Sequence, residues 1–249
     1  MNTNISLKQI NKLAIPAIIA GISEPILSLT DAAIVGHMSD HATESLAAVG
    51  IVTAFLSMLI WVLGQSRSAI SSIISQYVGA NKLNEVKALP SQAIAIILII
   101  ATIICFITYP LSKSIFSLYN ASDLLLDYCV SYYKIRVIGL PLTLYVFAVF
   151  GVFRGLQNTY YPMKIAISGA TINILLDFVL VYGIKDWFLP LNLQGAAIAS
   201  VLSQFLMAIL ATHYLLKKTE IPLRFSNTLN KEIPKFLNMI GHLIVRTLA

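Results

Sequence analysis

Acidic side chains stand inside segments that are otherwise apolar enough to cross a membrane. Glu24 and Asp31 lie in "SEPILSLTDAAIVG" (23–36), and Asp177 lies in "NILLDFVLVYG" (173–183). An aspartate at the centre of a bilayer costs roughly 2.5–3.5 kcal/mol on insertion scales, and such groups usually face a bundle interior or a water-filled cavity. These acids therefore indicate an intramembrane site for a proton or a metal cation.

Helical spacing places polar groups on common faces. Glu24 and Asp31 are seven residues apart, which returns them to within roughly 20° of each other around a helix. Pro25 cannot donate the usual helical hydrogen bond, so a free carbonyl oxygen is expected near that face. Residues four apart also share a face, and two further pairs have this spacing: Asn173 with Asp177 and Ser200 with Gln204. One more polar side chain, Tyr132, lies in the fourth apolar segment.

The chemistry of this set allows two coupling ions. A carboxyl group in a cavity can take up a proton on one side of the membrane and release it after its surroundings change. Carboxylate and amide oxygens can instead coordinate Na⁺, and Asp31, Asn173 and Asp177 would then be its ligands. Both ions stay open at this point, as does a structural role in which the acids only satisfy neighbouring backbone and hydroxyl groups. Glu24 can also be an ordinary group near the membrane boundary.

Composition predicts an all-α polytopic membrane protein. Of the 249 residues, 57% are hydrophobic and 11% are charged, less than half of the about 25% charged residues found in soluble domains. The formal net charge of +6 does not indicate nucleic-acid binding, because the basic residues lie between apolar segments rather than on one periodic face. No cofactor is expected besides H⁺ or Na⁺ as coupling ion.

Six segments reach the roughly 20 residues that a bilayer span requires. They are 12–36, 45–65, 90–112, 126–150, 162–184 and 193–216. The stretch 66–79 is predicted to continue the second span or to lie at the membrane interface. With a cytoplasmic N-terminus, thirteen Lys and Arg residues fall on the cytoplasmic side, Arg67 and Arg154 among them, and four fall outside, including Arg136. This is the bias that cytoplasmic loops show.

The sequence changes character after the sixth span. Residues 217–236 are polar and basic, which predicts a cytoplasmic linker, and residues 237–249 turn apolar again, as at the start of a seventh helix. The chain is therefore predicted to divide into a transmembrane lobe (1–216), a linker and the beginning of a truncated helix.

Several longer stretches resemble multidrug and toxic compound extrusion (MATE) transporters, most closely the DinF-like branch. They run through nearly the whole chain in the family's order: "LAIPAIIAGISEPILSLTDAAIVGHM" (13–38), "LAAVGI" (46–51), "GLPLTLYVFAVFGVFRGLQNTYYPM" (139–163), "NILLDFVLVYG" (173–183) and "LQGAAIASVLSQ" (193–204). The resemblance implies the six-helix N-terminal lobe of a twelve-helix transporter, truncated at the start of helix 7.

The resemblance also implies a function. MATE-type proteins are secondary active transporters that export organic, cationic or amphipathic compounds in exchange for H⁺ or Na⁺, here from a bacterial cytoplasmic (inner) membrane. The implied partners are a small organic substrate, membrane lipid and the missing C-terminal lobe. By position, Asp31 would be the main cation-coupling acid, and Asn173 and Asp177 would complete the cation site. The auxiliary candidates are Glu24, Tyr132, Ser200 and Gln204.

Other functions fit the sequence less well. A flippase for lipid-linked precursors, from the same superfamily, would carry more arginines in its cavity, whereas the deep groups here are predicted to be acidic and neutral. The chain can also be an inactive fragment or a lobe that needs a C-lobe partner. An intramembrane aspartyl protease is disfavoured, because "NILLDFV" around Asp177 lacks a Gly-x-Gly-Asp motif, and no enzyme activity is expected.

Overall fold

A computed structural model describes residues 6–184, 187, 189–221 and 228–248. Within these residues the chain forms nine α-helices: α1 (Leu7–Gly36), α2 (Ala42–Leu63), α3 (Ser66–Gly79), α4 (Leu89–Leu118), α5 (Asp123–Arg136), α6 (Leu140–Gly155), α7 (Tyr160–Tyr182), α8 (Asn192–Lys218) and α9 (Ile233–Leu248). Together α1 to α8 form six segments that are long and apolar enough to cross a membrane. The predicted six-span, all-α fold is confirmed.

Two of the six spans consist of two helices in series. The second span runs through Ala42–Gly79 with a break at Gly64 between α2 and α3, so the stretch 66–79 continues this span. In the fourth span, a 3-10 turn at Val137–Gly139 separates α5 from α6. Pro141 lies in the first turn of α6, where its missing amide hydrogen costs no helical hydrogen bond.

Small residues allow the helices to approach closely. A Cβ atom at Gly151 of α6 would lie 2.5 Å from the backbone oxygen of Arg67 in α3. A Cβ atom at Gly195 of α8 would lie equally near, 2.5 Å, to the backbone oxygen of Leu180 in α7. Helix pairs in membranes depend on such contacts, because lipid leaves little hydrophobic force to drive the helices together.

Hydrogen bonds fix both ends of α1 on α7. Thr159, which precedes α7, donates from Oγ1 to the carbonyl oxygen of Leu13 at 2.8 Å. At the other end, the hydroxyl group of Tyr182 donates to the carbonyl oxygen of Ile34 at 2.8 Å. The two helices therefore have a fixed register along most of their length, which positions the acidic face of α1.

The segment before α9 is attached to the third span by the buried side chain of Gln92. Its Nε2 donates to the carbonyl oxygen of Thr228 at 2.8 Å, and its Oε1 accepts from the amide of Asn230 at 2.8 Å. Lys231 also pairs with Glu85, and this hydrogen bond raises the pKa of Lys231. Part of the stretch expected to be the linker, 222–227, lies outside the described residues.

We expect Gly151→Ala to destabilise the protein by about 1–3 kcal/mol, the usual cost of overpacking a tight contact. Gly50→Ala in α2 is the matched control, because nothing lies within 4 Å of the added Cβ and the gain in helix propensity is the same. Thermal unfolding in detergent measures the difference. An equal melting temperature for both variants would show that α3 and α6 can separate without loss.

Gln92→Met keeps the volume of the side chain and removes both hydrogen bonds to the segment before α9. Because one hydrogen bond contributes about 0.5–1.5 kcal/mol, we expect amide exchange across 228–236 to accelerate by roughly tenfold. Hydrogen exchange read by mass spectrometry tests this, with Gln157→Met at the exposed α6–α7 turn as control. Unchanged exchange would mean that the apolar contacts of α9 suffice to hold the segment.

Candidate functional site

A cavity of about 200 Å³ lies between the helices of the lobe. Its wall combines acidic, basic, hydroxyl and aromatic groups from α1, α2, α5, α6, α7 and α8. The polar and aromatic residues among its lining are Glu24, Ser28, Asp31, Thr53, Ser57, Trp61, Arg136, Thr143, Phe147, Asn173, Ser200, Ser203 and Gln204.

Two carboxyl groups meet beside this cavity, Asp31 from α1 and Asp177 from α7. Asp31 is 8% exposed and Asp177 is fully buried, and their side chains lie close enough for each to act directly on the other. Three of their four oxygens, Oδ1 of Asp31 and both oxygens of Asp177, are buried and have no hydrogen-bond partner among the described residues. Two adjacent carboxylates repel each other strongly in a medium of low dielectric constant. This arrangement therefore favours a positive species between them, either a shared proton or a metal cation.

Neutral groups surround the pair. Asn173 lies one helical turn before Asp177 on α7, is nearly fully buried, and its Nδ2 lacks a partner in the described part of the chain. Ser200 of α8 is buried close enough to Asp31 for its hydroxyl group to act on that carboxyl group. The fully buried Tyr132 of α5 lies close enough for both aspartates to act on it electrostatically. We name these five residues the aspartate cluster: Asp31, Tyr132, Asn173, Asp177 and Ser200.

Glu24 does not join the aspartate cluster, although it shares a face of α1 with Asp31. Its side chain is exposed and opens onto the cavity. The charges that act on it most strongly belong to Arg67 of α3 and Arg154 of α6. Gln204 also stands apart from the cluster, on the cavity wall, with an Oε1 that lacks a partner within the described residues.

Sequence reasoning missed the arginines. The expectation of a cavity with only acidic and neutral groups was wrong, because Arg136 lines it. The sequence places Arg136 with the outside residues, yet this residue lies within the predicted span 126–150, and its position inside a span is the signal that could have identified it. The sequence places Arg67 and Arg154 on the cytoplasmic side, whereas in the structure they are half-buried beside Glu24.

Six helical segments are long and apolar enough to cross a membrane, and five of them line a cavity beside buried acids; together they define a multi-pass helical membrane protein. The family model described as MatE matches residues 16–179, and the chain belongs to this family. The resemblance drawn from the sequence motifs is thereby confirmed. Members of this family are transport proteins and not enzymes.

Curated relatives match over most of the chain. It is 28% identical over 194 residues to DNA damage-inducible protein F of Escherichia coli, covering 78% of this chain and 40% of that protein. It is 26% identical over 219 residues to the probable multidrug resistance protein NorM of Thermotoga maritima, covering 87% of this chain and 46% of that protein. The chain thus spans less than half the length of these two relatives.

Solved structures share the fold. A MATE crystal structure in the bent conformation superposes with a TM-score of 0.86 at 22% identity, over 97% of this chain and 53% of that one. A MOP superfamily transporter from Pyrococcus furiosus, described as having a binding pocket of reverse polarity, superposes with a TM-score of 0.80 at 22% identity, over 96% and 51%. The lobe therefore has the helix arrangement of half a MATE transporter.

Asp177→Asn should stabilise the protein in alkaline, sodium-free buffer, because it removes one of two adjacent negative charges and adds a donor for Asp31. We expect a gain of about 1–3 kcal/mol, the size of a relieved unsatisfied group, read as a higher melting temperature. Asp127→Asn, at an exposed acid of α5, should leave stability unchanged. A loss of stability in Asp177→Asn would show that the carboxylate is already satisfied without a cation.

Proposed function

We propose that this chain forms the N-terminal lobe of a secondary transporter that exports organic, cationic or amphipathic compounds in exchange for H⁺ or Na⁺. The observation that carries the proposal is the aspartate cluster, in which two buried carboxyl groups share a site beside a cavity. A cation-coupled carrier needs a group whose charge state changes when the coupling ion binds or leaves. Asp31 and Asp177 are the residues to which we assign this role.

The coupling step follows from electrostatics. While H⁺ or Na⁺ sits between Asp31 and Asp177, it balances one of their two negative charges, and the cavity attracts a cationic substrate less strongly. Release of the ion restores the second negative charge beside the cavity and favours a cationic substrate there. The coupling ion and the cationic substrate are both attracted by the negative charge of the same carboxyl groups. Binding of either therefore promotes release of the other, as antiport requires.

The two coupling ions differ in the ligands that they need. A proton requires only the two carboxyl groups. Sodium requires several oxygens, and Asp31, Asn173, Asp177 and Ser200 can supply carboxylate, amide and hydroxyl oxygens. Among the described residues no group of three or more His, Cys, Asp and Glu side chains comes together, so neutral oxygens would have to complete a sodium site.

The membrane setting completes the proposal. We place the lobe in the cytoplasmic membrane of a bacterium with its N-terminus inside, on the Lys and Arg bias of the loops. The relatives that it matches are about twice as long, so a second lobe is the partner against which this one would rock. The exposed apolar side chains of α1, among them Ile18, Ile22 and Leu29, would contact lipid or that lobe.

Arg136 favours a second candidate function, transfer of a lipid-linked precursor with an anionic head group. We rank it below drug export, because the same cavity wall carries Glu24 and Asp31. These acids would repel a phosphorylated head group. Vesicles that move a labelled anionic lipid across the bilayer, and export no organic cation, would reverse this ranking.

The test measures coupled efflux from proteoliposomes. These contain the present lobe together with the second lobe of the transporter. We expect Asp31→Asn, which keeps the shape and removes the charge, to lower gradient-driven ethidium efflux by tenfold or more, a loss of at least about 1.4 kcal/mol. Asp127→Asn is the matched control. Imposed Na⁺ and H⁺ gradients, applied separately, identify the ion, and wild-type efflux by Asp31→Asn would refute the assignment.

A further inference from the structure

We infer that the end of the lobe where α7 begins and α8 ends binds an anionic phospholipid. Its head group would lie beside Lys164, Lys217 and Lys218, which we name the lysine cluster, and one acyl chain would lie in a groove on α8. None of these three residues lines the cavity, so the lipid site is separate from the proposed export function.

Two tyrosine rings pack together at this end of the α7–α8 pair. Tyr161 of α7 and Tyr214 of α8 have their ring centroids 4.9 Å apart, and the neighbouring Tyr160 is 48% exposed. At the other end of the pair, the amide of Leu191 donates to the carbonyl oxygen of Leu180 at 2.9 Å, so the two helices are antiparallel. Tyrosine is enriched where a membrane meets water, and the rings therefore mark the level of the lipid head groups.

The lysine cluster converges on these rings. Lys164 comes one helical turn after Tyr160, and its Nζ atom lies 4.7 Å from the centroid of that ring. Lys217 and Lys218 follow Tyr214 by three and four residues and share its face of α8. Helical side chains tilt toward the N-terminus of their own helix. Because α7 and α8 are antiparallel, Lys164 tilts away from the membrane interior while Lys217 and Lys218 tilt back toward the level of the rings.

Acidic side chains do not neutralise the lysine cluster. Residues 137–176 and 187–219 contain no Asp or Glu, and Glu220, the first acid after α8, pairs with Lys87 at 3.1 Å. The ion pairs in the described part of the chain involve other lysines, namely Lys82, Lys87, Lys231 and Lys235. All three lysines of the cluster are exposed, so their ammonium groups can donate to an anion. Basic groups between transmembrane helices at the membrane surface are typical of sites for anionic lipid head groups.

An apolar groove of about 420 Å³ leads from the rings along the membrane-spanning part of α8. It is lined by Phe205, Ala208, Ile209, Thr212 and His213. The ring of His213 contacts that of Tyr214, with 5.6 Å between their centroids. The hydroxyl group of Thr212 is already hydrogen-bonded to Tyr145 at 2.6 Å and to the carbonyl oxygen of Ala208 at 2.8 Å. The groove therefore offers an apolar wall about 12 Å long, which suits the upper part of an acyl chain.

Charge complementarity identifies the occupant as a lipid. A phospholipid carries a phosphate group and acyl chains on one molecule, so it can contact the lysine cluster and the groove at the same time. A zwitterionic lipid also has a phosphate group, but its own ammonium group offsets the negative charge. The site should therefore select a lipid with a net negative charge.

Two lipids with identical chains test the inference. Dioleoylphosphatidylglycerol has one net negative charge, and dioleoylphosphatidylcholine has none. Native mass spectrometry of the purified full chain in detergent, titrated with each lipid, measures the affinity for the first bound molecule. We expect phosphatidylglycerol to bind more tightly. We also expect Lys164→Gln combined with Lys217→Gln to weaken it by about 10- to 30-fold, the range for two lysines at a membrane surface, with little change for phosphatidylcholine.

Matched variants separate the head group from the chain. Lys113→Gln removes an exposed lysine of α4 and should leave both affinities unchanged. Phe205→Ala removes one wall of the groove and should weaken both lipids several-fold. Its control is Leu202→Ala, which removes a similarly exposed apolar side chain of α8 outside the groove. Equal melting temperatures in lipid-free detergent show that the variants are folded.

The opposite results overturn the inference. Equal wild-type affinity for the two lipids would show that the head group is not selected, and wild-type binding of phosphatidylglycerol by the double lysine variant would place the lipid elsewhere. Equal losses in Phe205→Ala and Leu202→Ala would show that the chain does not occupy the groove. If an excess of inorganic phosphate displaces the lipid, the lysines bind free anions, and if neither lipid binds, the second lobe covers this face. Coupled efflux does not enter these measurements, so their failure leaves the proposed export function intact.

Discussion

Two carboxyl groups held side by side in the interior of a membrane protein repel each other and have lost most of their hydration. Asp31 and Asp177 are in this position, with three of their four oxygens lacking a partner among the described residues. The surrounding lobe has to hold them together against that repulsion. It does so through α7, which packs on both α1 and α8, and through hydrogen bonds that fix both ends of α1. The result is a buried pair of carboxyl groups with few hydrogen-bond partners among the described residues.

The same constraint explains why small residues matter in this lobe. Backbones in close contact leave little room for rearrangement, so the side chains between them are positioned within narrow limits. Gly195 sets the distance between α7 and α8, and Gly151 sets the distance between α3 and α6. The breaks within the second and fourth spans also affect where side chains are positioned. In the fourth span, the turn after Arg136 allows α5 and α6 to differ in direction.

The cavity wall carries charged side chains of both signs. Glu24 and Asp31 contribute the acids, and Arg136 contributes a positive group. Arg67 and Arg154 act electrostatically on Glu24. The hydrogen bonds that attach the segment before α9 to the third span involve no residue that lines the cavity.

The sequence by itself determined the six spans and the polar faces within them, because apolar length and helical periodicity depend only on neighbouring residues. It also singled out Asp31, Asn173 and Asp177, whose functional roles stay predictions. Tertiary structure alone decided that Asp31 meets Asp177 while Glu24, on the same helix face, is placed with Arg67 and Arg154. It also decided that the side chain of Arg136 lies on the cavity wall instead of in an outside loop. These outcomes depend on which helices pack together, and that choice is made by close contacts between residues far apart in the chain, which local patterns do not encode.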